Sequence, residues 1–449
     1  MLKAFANCFK VPELKTRILF TLGLIFVYRI GCYIPTPGIN GSALAEFFEK
    51  MNQATQGGNV LSIMDMFSGG ALSKMTVFSL GIMPYISSSI IMQLLTAVIP
   101  ALEKLSKEGH AGYMKINQYT RYGTVVLALV QSFFIALWLE SPQTFQGLKV
   151  VADPGWGFRL TTVLTLSTGT LLLMWLGEQI QERGIGNGIS LIITAGILSR
   201  VPHAINSLIL LLSPKLATAR QIQPLTLLIM IAFLIGVIIS VTMITQGQRK
   251  IPVQYARRMV GRKVYGGQST YIPMKVDTAG VIAIIFAQSI ILFPATVASF
   301  IPAQGFQHFA AFISRGHWVY YSLYGLLIIF FCYFYTAIVF NPVDVAENMK
   351  KFGGFIPGVR PGTPTADFLD FVMTRITLAG AIFICTIAIM PDAIMSTFRV
   401  PYEVASFFGG TGVLIMVGVM LDTMKQIESK LLMRHYDGFM KSGQLKGRR

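Results

Sequence analysis

Long apolar runs with no polar alternation recur at about 18–36, 76–99, 122–139, 159–177, 186–201, 224–245, 278–296, 318–340, 374–391 and 404–422. Most are close to the roughly 20 residues that a helix needs to cross the hydrocarbon of a bilayer. None has a period of two, so each is predicted to be a helix and not a barrel strand. Ten spans put both chain ends on one face of the membrane. Most of the 37 Lys and Arg fall in the segments on that face, which makes it the cytoplasmic one by the positive-inside rule. The first run follows Lys3, Lys10, Lys15 and Arg17 as a signal peptide would, but no small-x-small cleavage site comes after it. It is read as a retained span.

One run carries more than an anchor needs. Residues 68–91 read SGGALSKMTVFSLGIMPYISSSII, with paired glycines and Lys74 at the head, Pro84 inside, three consecutive serines, and Ile82 and Ile86 four apart.

Composition agrees with a membrane protein. Of the 449 residues 53% are hydrophobic and 13% charged, with a mean hydropathy of +0.61, which is too apolar for a water-soluble chain of this length. The charge that is present avoids the span centres. Residues 75–102 and 278–314 carry none, and Arg29, Glu178 and Asp422 stand near span ends. A proton- or ion-coupled carrier commonly keeps a titrating group inside the membrane, so this distribution weighs against the rival reading, a small-solute secondary transporter with inverted repeats. No phosphate-binding loop, zinc-helix motif or nucleophile elbow occurs. The five histidines are scattered, and Cys8, Cys32, Cys332 and Cys385 lie far apart. The sequence therefore predicts no metal, no cofactor and no catalytic site. The GIGNG turn at 184–188 follows no strand and opens a span, so its glycines are read as permitting close helix approach.

Two inner loops stand out. Residues 246–276 hold seven basic residues and no acid, and their IPVQYARR stretch predicts a short hairpin punctuated by Gly266 and Gly267. The loop 341–373 holds Arg360 between Val359 and a Pro-Gly pair. Topology setting and attraction to anionic lipid account for charge alone. The prolines and glycines that fix Arg360 in a turn point further, to docking of an acidic partner.

GIMPYISSSIIMQLL, LMWLGEQIQERGIGNGISL, GQRKIPVQYARRMVGRKVYGGQSTYIP, NPVDVAENMKKFGGFIPGVRPG and FGGTGVLIMVGVMLD occur in series along nearly the whole chain, and together they resemble the SecY family of protein-conducting channels. The resemblance implies an all-α polytopic membrane protein of ten transmembrane helices. Two pseudo-symmetric inverted halves, 1–205 and 206–425, would surround a central hourglass pore, with a basic cytosolic tail at 426–449. It implies an aliphatic pore ring of Ile82, Ile86, Ile189, Ile193, Ile285 and Ile415. On spacing alone, residues four apart share one helix face, but an ordinary helix-packing role fits these isoleucines as well.

The resemblance further implies a plug at about 60–73, including Ile63, Met64, Asp65, Phe67, Gly69 and Gly70. Read from its residues only, that segment serves equally as an outer loop. A lateral gate would use Ser87, Gln93, Asn187 and Phe293. Arg249, Lys250, Arg257, Arg258 and Arg360 would dock the SecA ATPase and the ribosome through its RNA, although TQGQR lacks the acidic residue that often precedes GQR in the family. SecE and SecG subunits, signal peptides, nascent chains and anionic lipids complete the implied partners. The place implied is the bacterial cytoplasmic (inner) membrane.

Overall fold

The computed structural model describes residues 11–54, 60–141, 145, 149–212, 224–255, 258–260, 263–265, 269–300, 305, 318–398 and 402–442. Each of the ten apolar runs falls on a helix. The helices are α1 (Pro12–Gly31), α2 (Gly41–Ala54), α3 (Val60–Phe67), α4 (Met83–Val98), α5 (Pro100–Lys107), α6 (His110–Leu139), α7 (Trp156–Arg183), α8 (Gly188–Leu198), α9 (Val201–Leu212), α10 (Pro224–Gln246), α11 (Gly280–Phe300), α12 (Trp318–Val339), α13 (Pro342–Lys351), α14 (Thr363–Phe398), α15 (Tyr402–Ala405) and α16 (Gly410–Ser442).

Among the described residues six helical stretches are long and apolar enough to cross a membrane, or seven if α4 and α5, bent by 99°, form one span. The remainder of the ten are shorter or charged near their ends. Lys15, Arg17 and Arg29 lie in α1, and Asp422 and Lys425 in α16.

Two predicted boundaries move. The second run was expected to be helical from 76, yet the helix begins at Met83, because Gly81 adopts φ +58° and Pro84 sits in the first turn, where its missing N–H costs nothing. Residues 68–82 form packed turns instead, with Phe78 and Leu80 buried. The division between halves drawn at 205 falls inside α9.

Consecutive spans pack in a repeated order. α4 lies on α6 and α6 on α7; five spans later α11 lies on α12 and α12 on α14. α11 also crosses to touch α4 and α6, which closes one side of the bundle. A central aliphatic core draws on α1, α4, α7, α8, α11, α12, α14 and α16. A second core gathers Leu44 and Phe48 of α2 with Phe145, Val150 and Val151, and Phe145 is edge-on to both Phe47 (4.7 Å) and Trp138 (4.8 Å).

Close approach rests on glycine at the α7–α8 joint. A Cβ on Gly188 would stand 1.9 Å from the carbonyl oxygen of Gly177, so Gly188→Ala must push α8 off α7. Overpacking of this kind costs about 1–3 kcal/mol. We expect a lower melting temperature for that variant in detergent, read by intrinsic fluorescence, whereas Gly157→Ala, which meets open space, should melt as the parent does.

The two basic loops form the one sheet-bearing region among the described residues. β1 (Gln248–Tyr255) pairs antiparallel with β4 (Ser269–Lys275), and β2 (Arg258–Val260) with β3 (Lys263–Tyr265) makes the inner part of the hairpin. The hairpin was predicted; its third strand was not. β5 (Gly354–Phe355), from the other basic loop, joins the free edge of β1 with Tyr255 opposite Gly354. Ile251, Val253, Met274, Met349, Ile356, Leu369 and Val372 make a shared core beneath.

Candidate functional site

Five of the six predicted ring isoleucines are buried in the central core: Ile82, Ile86, Ile193, Ile285 and Ile415. Ile82 is the N-cap of α4 and Ile86 lies one turn into that helix, while α8, α11 and α16 supply one each. Ile189 differs. It is half-buried and packs at the rim of that core, its Cδ1 2.7 Å from where a Cβ on Gly177 would be, so the absent side chain of α7 leaves its seat. β-branched chains have few rotamers, and these five belong to one buried aliphatic core.

The segment 60–73 enters this core. Met66 and Phe67 join the central cluster, while Leu61 and Met64 join the second one, so α3 is held on two faces. The side chain of Ile63 lies outside the described residues. α3 packs on α8 and α11. Past its end Gly69 and Gly70 turn the chain with φ +69° and +84°, a conformation that suits glycine. A Cβ on Gly69 would lie 3.0 Å from the Cα of Gly196 in α8.

The turn is bound by polar groups. The Tyr28 hydroxyl donates to the carbonyl of Ser68 (3.3 Å), and Arg29 Nη1 and the Ser199 hydroxyl donate to the carbonyl of Gly69 (3.3 and 3.4 Å). These are carbonyls at a helix C-terminus, which lack intrahelical partners, and a guanidinium beside them also meets the negative end of the helix dipole. Asp65, buried, accepts from the Ser73 backbone N–H (2.8 Å) and pairs with Arg200.

α11 meets α4 and α6 along a seam. Each side is stitched internally. Ser88 donates to the Thr120 carbonyl (2.8 Å) between α4 and α6, and Tyr324 donates to Gln288 Oε1 (3.0 Å) between α11 and α12. Of the predicted gate residues, Ser87 is buried on α4, Gln93 donates to the Ser89 hydroxyl on the same helix (3.2 Å), and Phe293 is half-buried on α11. Asn187 is not with them. It is exposed and caps α8, accepting from the Ser190 N–H at 3.2 Å.

In the first basic loop Arg249 and Lys250 are exposed on β1, with the Lys250 ammonium over the Tyr271 ring at 4.7 Å. Arg258 is in β2, and Arg257 lies outside the described residues, as do Gly266 and Gly267. Arg360 is exposed between Gly358 (φ +83°) and Gly362 (φ +107°), and its carbonyl accepts from the Thr365 hydroxyl at 2.8 Å. Sheet pairing between β1 and β5 thus brings the two basic loops into one surface.

Sequence reasoning missed Tyr28, Ser199 and Arg200, and noted Arg29 only as a charge at a span end. A usable signal existed for Arg200: Asp65 is the one acid between positions 50 and 102, and a buried carboxylate calls for a cation.

A bundle of apolar helices around a buried aliphatic core, with a short helix of the same chain packed into that core, defines a polytopic membrane protein. The SecY family model matches residues 76–424, and the chain belongs to the SecY family. It is 48% identical, over 97% of its length and 96% of the relative's, to the protein translocase subunit SecY of Escherichia coli. Its fold is similar to a solved structure described as a protein-conducting channel (TM-score 0.61, 17% identity, 96% of this chain and 94% of the other). It is similar to another from work on the SecY plug domain, described as stabilising the closed channel and its membrane seal (TM-score 0.60, 18% identity, 96% and 94%). Family membership decides against the solute-carrier reading.

Proposed function

We propose that the chain is a gated, multi-pass protein-conducting channel that moves unfolded secretory polypeptides across a membrane and releases hydrophobic segments sideways into it. The observation that carries this is the isoleucine core on α4, α8, α11 and α16 with Met66 and Phe67 of α3 lodged in it. An aliphatic ring gives a passing polypeptide no polar group to hold, and a narrow apolar constriction excludes ions by dewetting. Residues 60–73 act as the plug. The seam between α11 and the α4–α6 pair acts as the lateral gate, where non-directional apolar contacts across it are exchanged for contacts with a signal peptide.

The chain sits in the bacterial cytoplasmic membrane with both termini inside. The basic surface built on β1, β5 and the Arg360 turn docks the SecA ATPase and the ribosome, which supply the work. SecE and SecG subunits flank the bundle, and anionic lipids neutralise the remaining inner charge. The exposed apolar faces of α1 and α10 suit contact with lipid or such subunits.

The plug is tested by labelling. With the native cysteines replaced by serine and Met66→Cys introduced, a membrane-impermeant thiol reagent should react slowly at rest, since Met66 is 4% exposed, and faster while a precursor is in transit. Equal rates in both states would turn 60–73 back into a plain loop.

A further inference from the structure

We propose that the Asp65–Arg200 pair is the catch that fixes the plug to the N-terminal half of the channel, so that the lateral gate can part without freeing it. The proposal rests on the plug reading above.

Asp65 is 2% exposed and lies in α3. One carboxylate oxygen accepts from the backbone of Ser73 and the other binds Arg200, so a single side chain ties the plug helix to its return turn and to the joint between α8 and α9. The donors on the neighbouring carbonyls come from the same half: Tyr28 and Arg29 from α1, and Ser199 from the α8–α9 joint. The other neighbour of α3 is α11, which has no charged residue between Gly280 and Phe300.

The two contacts respond differently to motion. Apolar contact is non-directional and is lost gradually. A buried carboxylate separated from its cation is left uncompensated, which costs far more than the pair contributes when intact. Withdrawal of α11 from α4 and α6 therefore opens the seam while α3 stays seated, and release needs a second event, the entry of a chain that displaces Asp65 from Arg200. This makes the pair a specificity device as well. A signal peptide that opens the gate without a following chain leaves the seal closed.

The test uses the full chain with its membrane subunits in lipid vesicles and the Met66→Cys reporter. Asp65→Asn keeps the acceptor for Ser73 and removes the charge; Arg200→Gln removes the other. Each should raise the resting labelling rate about tenfold or more, because tenfold corresponds to only about 1.4 kcal/mol, and should raise resting ion leak. The double variant should label no faster than the faster single, since the pair acts as a unit. Arg200→Lys, which keeps the charge, should restore most of the shielding. A signal peptide alone should leave the parent's rate unchanged.

Single variants that label like the parent, singles whose effects multiply in the double, or labelling provoked by signal peptide alone would each overturn the catch. If the reporter is shielded at rest and exposed in transit yet ignores both substitutions, the plug stands and the catch falls. If the parent labels equally in both states, the plug reading itself fails.

Discussion

Vesicles carrying Ile86→Asn or Ile285→Asn should leak ions at rest at least about ten times faster than vesicles with the parent channel, and should admit precursors whose signal sequences are defective. Both residues are nearly fully buried, at 4% and 7% exposure, and both belong to the central core. Moving an amide from water to an apolar site without a partner costs about 2–7 kcal/mol. An amide inside the constriction therefore recruits water, and recovering even about 1.4 kcal/mol of the dewetting barrier is a tenfold change in rate. Ile285→Val, which keeps a β-branched aliphatic chain, is the control and should stay tight. The measurement is conductance or dye efflux without substrate; parental leak in both asparagine variants would remove these isoleucines from the seal.

Arg360→Glu should cut ATP-driven translocation of a precursor about tenfold or more while the protein inserts and melts like the parent. The side chain is exposed, and the Thr365 bond that holds the turn uses the Arg360 carbonyl and not its guanidinium. Reversing a charge against an acidic partner changes the interaction by two unit charges. At about 4 Å and an effective dielectric near 20 each is worth about 4 kcal/mol before desolvation, so a net loss above tenfold is a modest demand. The defect should show in motor or ribosome binding, with stronger salt dependence in the parent. Unchanged transport would take Arg360 off the docking surface.

Some of this was legible residue by residue. The ten apolar runs marked helices because lipid leaves a backbone no partner but itself, so each span is specified locally. The hairpin at 248–275 was legible because strand pairing through a nearby turn is also local. The helix start at Met83 was not, because hydropathy ran on through 76–82 while Gly81 and Pro84 decided the backbone. Ile189 and Ile193, equivalent by spacing, parted once the tertiary fold put Gly177 beside the former. Asn187 reads as a gate polar group and acts locally as a helix cap.

By itself, the sequence determined that this is a helical membrane protein, roughly where its apolar helices lie and which loops carry the basic charge, and family motifs named the isoleucines to examine. Only the tertiary structure decided how 60–73 is seated. Asp65 and Arg200 are 135 positions apart, and Arg29 and Gly69 are 40. Only the tertiary structure, too, joined the basic loops, through Tyr255 and Gly354 on one sheet edge. The physical reason is the same in each case: periodicity records how a segment meets lipid or core, whereas an ion pair or an added edge strand between distant segments leaves no period in either one.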